Sequence, residues 1–350
     1  MESGSDKKIK YDRGNMFNFS VSSARQGAHS DSRVFKFIFS AIISFFILLF
    51  MYRNLGLPNL SKLLREIELS WFLLFMILFG CISFLTSWRW HRIATTSSYQ
   101  KNFLFNMGIN LSSKAFNFFL PSKVGEFSKA YFLKKEINVP LAESGALIII
   151  ERFFDVASIC VLVVLASLFC NEDNNNVLST LFVIAILGSV FFIPIILLDL
   201  KIFKNKLNIF RNFDKHRAGK FVKGLVMLSL DFNIITKLEF FFYSLILWCL
   251  NFMQFVALFR SFHATTEILT IFSLVPVAIF AGNLPFTLGG LGTRDAVLIF
   301  VFAGMEPYHV LAGIGILSNL RNIIPSIIGF IAWWFMRFYK SDVDLKELVN

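Results

Sequence analysis

The sequence holds four cysteines and five histidines in 350 residues. None of the cysteines is spaced as CxxC, and the histidines are scattered. That excludes a disulfide framework and a metal site of ordinary ligand spacing. Cys81, Cys160, Cys170 and Cys249 all lie in or at the ends of apolar runs. The first 32 residues are polar and rich in Ser, Lys, Arg and Gly, with no apolar h-region. No cleavable signal peptide is expected, residues 1–33 are expected to form a disordered cytoplasmic tail, and the first helix serves as an uncleaved anchor. The chain also lacks a polar stretch large enough for a catalytic domain. The longest after the tail, 201–237, is short and basic. Asp342-Val343-Asp344 has the outline of a metal-binding DxD but belongs to a solvated acidic tail. Neither a metal nor a cofactor is expected.

What is present is apolar surface. The chain is 56% hydrophobic and 17% aromatic, with 45 Phe, which excludes a soluble globular domain. Several runs approach the roughly 20 apolar residues that cross a bilayer: 34–51, 69–88, 147–170, 177–198, 239–258 and 309–336. The formal charge of +11 invites a nucleic-acid reading, but the basic residues fall between the apolar runs, as retention of Lys and Arg on the cytoplasmic side requires. No nucleic-acid partner is expected. The segment 201–237 mixes basic and apolar residues at near-helical spacing, as an amphipathic helix on an anionic inner leaflet would.

Two apolar stretches are broken: FFLPSKVGEFSKAY (Phe118 to Tyr131) and GNLPFTLGGLGTRDAV (Gly282 to Val297). Each carries Leu-Pro, a glycine-containing turn and a charged cluster, and the two lie close to half a chain apart. Irregular backbone at membrane depth is tolerated only where it lines a cavity or is buried in protein. Such interruptions at matching positions in two halves mark a transporter's binding site. With the N-terminus inside, Lys and Arg outside the membrane segments concentrate in 1–36, 88–135, 200–238 and 337–350. Only Arg53, Lys62, Arg65 and Arg260 fall in the opposite loops, and Arg152, Arg294 and Arg321 lie within membrane segments. The flanking charges then send the first broken segment in from the cytoplasm and the second from the far side. The expected fold is an all-α polytopic membrane protein of about six full spans plus two re-entrant helical hairpins of opposite sense, an inverted repeat with both termini cytoplasmic. Its transmembrane domain covers 34–337, followed by a cytoplasmic tail, 338–350.

Charge inside an apolar segment is costly, so it faces protein or a wet cavity. Lys123, Glu126 and Lys129 follow Pro121 and Gly125; Glu151 and Asp155 share one face of the next span, with Arg152 beside them. Two readings fit: an ion-paired network that staples the hairpin to its neighbour, or a basic-acidic pocket using Lys123, Lys129 and Arg152 on a phosphate. In the second segment, Pro285 precedes Gly289, Gly290 and Gly292, then Arg294 and Asp295. Glycine N–H groups, a helix beginning near Thr293 and the Arg294 fork suit an anion. The alternative is tight packing of small residues. Arg321, between Asn319 and Asn322, either faces the same cavity or breaks the last helix near an interface.

Leu120 to Leu133 (LPSKVGEFSKAYFL), Ile148 to Asp155 (IIIERFFD) and Leu284 to Asp295 (LPFTLGGLGTRD), in that order, make the chain resemble the transmembrane-domain family of lysylphosphatidylglycerol synthase/flippase proteins. The resemblance runs from about 35 to 337. The family's last motif commonly ends in Arg-Glu; here Asp295 keeps the charge on a shorter side chain. The resemblance implies a domain that moves a polar-headed lipid between leaflets of the cell membrane. It includes none of the soluble aminoacyl-transferring domain of two-domain members, so synthesis of lysylphosphatidylglycerol is not expected. The reading is a multi-pass flippase-like protein of the inner membrane whose partners are phospholipids or polyprenyl-phosphate lipids. Lys123, Lys129, Arg152 and Arg294 contact the head group, and Glu126, Glu151, Asp155 and Asp295 position them. A membrane-embedded transferase of glycolipid metabolism and a non-transporting scaffold for envelope biogenesis are the alternatives. A homo-oligomer is compatible with all three.

Overall fold

The computed structural model describes residues 42–50, 53, 65–97, 99, 101–119, 125–169, 176–197, 232–284 and 287–347. The expectations for the tail 1–33, most of the segment 201–237, Pro121, Lys123 and Pro285 lie outside those residues. The described chain is all-helical, without a strand. After a helical stretch at 42–50, its helices are α1 (Leu69–Thr96), α2 (Phe103–Phe119), α3 (Ser128–Ile137), α4 (Leu141–Leu168), α5 (Asn176–Leu197), α6 (Ile234–Ser261), α7 (Ile268–Gly282), α8 (Thr293–Val301), α9 (Tyr308–Ser318) and α10 (Leu320–Glu347).

Local chemistry sets the helix ends. The Asn233 side chain accepts the Thr236 N–H at 2.8 Å and opens α6. Asn102 does the same for the Phe105 N–H at 3.0 Å, opening α2. Asn138, in the left-handed region at φ 59°, closes α3. Pro140 and Pro307 immediately precede α4 and α9. Asn319 keeps near-helical backbone (φ −67°, ψ −23°), so α9 and the first part of α10 form one apolar stretch, Tyr308–Phe335. Helix α10 continues to Glu347, into the segment expected as a tail.

Among the described residues, three stretches are long and apolar enough to cross a membrane: α1, α6 and Tyr308–Phe335. Large apolar side chains are exposed along several helices, among them Leu73, Ile77 and Phe84 on α1, Leu187, Val190 and Phe191 on α5, and Phe330, Ile331 and Trp334 on α10. A soluble monomer rarely exposes such continuous apolar surface; hydrocarbon accounts for it. The protein is a helical membrane protein.

The interior divides into two apolar cores. One gathers Phe75 of α1, Ile159 and Val163 of α4, and Phe252, Phe255 and Phe259 of α6. It continues through Ile271, Leu274 and Ala278 of α7, Leu298 and Val301 of α8, and Leu311 of α9. The other gathers Trp90 and Ile93 of α1, Ile109 of α2, Ala130 and Leu133 of α3, Leu147 and Phe154 of α4, and Phe240 of α6. Helices α1, α4 and α6 run through both, α1 in the opposite direction to the other two. The helices flanking the second broken segment, α7 and α8, belong to the first core; those flanking the first broken segment, α2 and α3, belong to the second. At 9 residues, α8 is about 14 Å long, half of the roughly 30 Å hydrocarbon thickness.

Close approach between α2 and α10 depends on Gly329, where an added Cβ would stand 2.0 Å from the Leu111 carbonyl oxygen. A Gly329→Leu protein is expected to lose about 1–3 kcal/mol from overpacking, read as a lower thermal midpoint in detergent. Gly80→Ala, at a site with nothing within 4 Å of the new carbon, is expected to leave that midpoint nearly unchanged.

Candidate functional site

Between the two cores lies a polar layer. Helix α1 contributes Ser83, Thr86 and Arg89 to it, α4 contributes Glu151, Arg152 and Asp155, and α6 contributes Ser244, Trp248 and Asn251. Arg89 is 2% exposed and spans both carboxylates of α4, with Nη2 at 2.8 Å from Glu151 Oε1 and Nη1 at 2.5 Å from Asp155 Oδ1. It also donates to Ser244 Oγ at 2.6 Å. Trp248 Nε1 donates to Asp155 at 3.0 Å. The spacing of Glu151 and Asp155, one helical turn apart, lets one guanidinium serve both.

From the first broken segment, Lys129 Nζ reaches Glu151 Oε2 at 3.0 Å and stands 4.4 Å from the centre of the Trp90 ring. Both contacts suit a buried ammonium. Arg152 is a third exposed and sits among three carboxylates: Glu126 at 2.9 Å, Asp155 at 3.0 Å and Glu151 at 3.7 Å. Its Nε–Glu126 contact is an ion pair whose angle is too poor for a hydrogen bond. Gly125 is buried against the backbone of α2 at Phe116 and Asn117.

The second broken segment forms its own cluster. Gly289, Gly290 and Gly292 all have positive φ (56°, 78° and 93°). At Gly290 a side chain is excluded twice, by that backbone and by the Gly282 carbonyl oxygen 2.7 Å from where a Cβ would stand. Helix α8 begins at Thr293, as the sequence suggests, but its first turn is already served by its own carboxylate. Asp295 Oδ2 accepts the Gly292 N–H at 3.2 Å and an Asn319 Nδ2–H at 3.0 Å. Arg294 lies 3.3 Å from Asp295 and donates to Asn319 Oδ1. The positive end of α8 is therefore less open to an outside anion than the glycine pattern implies. The Asn322 amide donates to the Gly289 carbonyl at 2.8 Å, tying the glycine turn to α10.

One cavity of about 220 Å³ joins these clusters. Glu126, Arg152 and Asp155 line it from one side of the sequence, and Gly289, Gly290, Arg294 and Arg321 from the other. The broken segments meet directly: a Cβ on Gly289 would stand 3.5 Å from the Phe118 ring. Lys129, Glu151, Asp295, Gly125 and Gly292 are not on the wall; they hold residues that are. Sequence reasoning passed over Arg89, which reads as part of a basic helix flank, and over Trp248, Asn251 and Gln254, which lie in an apolar run. Lys114 and Asn117 stand out as polar residues of an apolar stretch, yet nothing local connects them to a site. Both line the cavity.

Two cavity cations have no carboxylate within ion-pairing distance among the described residues: Lys114 and Arg321. Arg321 donates to Asn251 Oδ1 and stacks over Phe255 at 4.5 Å. The Lys114 ammonium has no hydrogen-bond acceptor among the described residues, although its backbone carbonyl accepts from Ser326 Oγ at 3.2 Å.

The comparisons agree with this architecture. The family described as the lysylphosphatidylglycerol synthase TM region matches residues 37–329, and the chain belongs to it. The chain is also similar to the UPF0104 membrane protein MJ1595 of Methanocaldococcus jannaschii, at 24% identity over 329 residues, covering 87% of this chain and 96% of the relative. No solved structure matches.

Removing one partner of a buried ion pair costs about 3–5 kcal/mol, because the other charge stays buried. Arg89→Met leaves Glu151 and Asp155 short of a cation and is expected to lower stability on that scale. Arg321→Gln deprives no carboxylate and is expected to cost less than half as much. Denaturation of the two variants in the same detergent compares them.

Proposed function

We propose that this member of the lysylphosphatidylglycerol synthase TM-region family moves a polar-headed lipid, a phospholipid or a polyprenyl-phosphate lipid, between membrane leaflets. The head group enters the charged cavity while the acyl chains stay in the bilayer. The observation that carries the reading is that both broken segments, from separate apolar cores, converge on one cavity lined by Arg152, Arg294 and Arg321. A cavity that only completed a fold would be filled by side chains or kept apolar.

The membrane arrangement belongs to the same proposal. Six full spans and two re-entrant hairpins of opposite sense are supported by the allocation of α2 and α3 to one core and of α7 and α8 to the other. The shortness of α3 and α8 supports it too. The excess of Lys and Arg in the loops assigned to the inside supports cytoplasmic termini and a multi-pass protein of the cell membrane. In this arrangement the head group meets Arg152 and Arg294 near the midplane. Glu126, Asp155 and Asp295 hold the guanidinium groups in place, and Lys129 and Glu151 brace that arrangement from behind.

One observation favours a second reading, the non-transporting scaffold. Each of Glu126, Glu151, Asp155 and Asp295 is already tied to a cation, which is what stapling alone requires. Proteoliposomes carrying acyl-labelled lipid separate the two. The wild-type protein is expected to expose inner-leaflet label to a membrane-impermeant quencher, and Arg152→Gln to slow this about tenfold or more, the scale of one charge-assisted hydrogen bond. Label that stays as protected as in protein-free vesicles, with folded wild-type protein present, favours the scaffold.

A further inference from the structure

Among the described residues, the charges in and behind the cavity do not balance. Four carboxylates, Glu126, Glu151, Asp155 and Asp295, are matched by Arg89, Lys129, Arg152 and Arg294 in the pairs described above. Lys114 and Arg321 remain. Their surroundings differ: the charged neighbours of Lys114 are Glu126, Lys129, Glu151 and Arg152, whereas that of Arg321 is Arg294. One uncompensated cation therefore lies towards each broken segment, and both face the same cavity. Each uncompensated charge in a membrane interior is costly to insert. Such a cost persists where a ligand removes it.

We infer that the cavity takes a head group with at least two negative charges, of the phosphate monoester or diphosphate class. This rests on the lipid-translocation reading and narrows it. Two cations on the wall of one small cavity, unpaired among the described residues, match a compact group with several anionic oxygens. Phosphate accepts from the planar Arg321 fork and from the Lys114 ammonium at once. A phosphodiester head group such as phosphatidylglycerol, with one negative charge, leaves one cation uncompensated. A zwitterionic head group brings an ammonium that finds no free carboxylate, because all four already serve cations. An aminoacylated phosphatidylglycerol fares worst: a lysyl ester adds two ammonium groups to one phosphate and raises the positive charge of the site.

Binding of water-soluble, short-chain lipids to the purified full-length protein in neutral detergent tests this. The probes are dihexanoyl phosphatidic acid, the matching phosphatidylglycerol and phosphatidylcholine, and inorganic phosphate and diphosphate without chains. Phosphatidic acid is expected to bind at least about tenfold more tightly than either other lipid, on the scale of a charge-assisted hydrogen bond. Lys114→Gln and Arg321→Gln are each expected to erase most of that preference, weakening phosphatidic acid binding several-fold more than phosphatidylcholine binding, with unaltered gel-filtration profiles. Equal binding of the three lipids, or equal weakening of all three in the variants, overturns the charge inference and leaves lipid translocation standing. Tight binding of the inorganic anions with no gain from acyl chains overturns the lipid reading and keeps a multivalent-anion site. Absence of binding by every probe overturns both.

Discussion

The Arg89 guanidinium between Glu151 and Asp155 is the interaction on which the interior depends. Two carboxylates on one face of α4 repel each other and are costly to bury; neither can be buried without a cation at hydrogen-bonding distance. Arg89 brings α1 to α4, and its bond to Ser244 brings α6 to both. The three helices that traverse both cores are thus locked at one height. Lys129 then completes Glu151 and fixes α3, and Arg152 completes Asp155 and reaches Glu126 just before α3. The network sets the register of a bundle whose apolar surfaces, immersed in lipid, have no hydrophobic effect to align them.

The sequence made the all-helical membrane fold legible because its signals are long and redundant: apolar runs, abundant Phe and sorted basic loops. It also marked the two broken segments, since Pro, Gly and charge are anomalous in such runs. It could not indicate who pairs with whom. Arg89 and Glu151 lie 62 residues apart, and on α1 Arg89 is followed by His91 and Arg92, so it resembles the basic flank of a span. Arg92 fits that description, partly exposed and paired with Glu239; Arg89, three residues earlier, is turned to the interior. Face, not composition, separates them. The same holds for Lys129, which the sequence offers as a ligand contact and which stands behind the cavity wall against Trp90.

The glycine turn shows a similar division between pattern and placement. Three glycines before a helix with Arg at its second position resemble an anion cradle. Asp295, at the third position of α8, takes the Gly292 N–H that an anion would use. The glycines serve close approach instead: Gly290 sits against Gly282, and Gly289 against Phe118. The glycine turn thereby brings the second broken segment against the first at Phe118. Its contribution to a site is to position Arg294 and admit Arg321 and Asn322 from α10.

Stapling and ligand binding, which look like rival accounts of charge in a membrane bundle, divide among different residues here. A structural ion pair is recognised by mutual satisfaction: each partner's cost is offset by the other, and both are withdrawn from the cavity or share its wall. Arg89 and Lys129 meet that description with their carboxylates, and their retention follows from folding alone; Arg294 is paired with Asp295 but also lines the cavity. Lys114 and Arg321 do not meet that description. Among the described residues Arg321 is held by an amide oxygen and an aromatic face, which stabilise it without neutralising it. A fold that needed merely to be stable could replace either residue with an apolar one, relieving the burial cost without orphaning a partner. Arg152 stands between the two groups, shared by three carboxylates yet a third exposed to the cavity, so an anion in the cavity would compete with Glu126 for a guanidinium that the staple also uses.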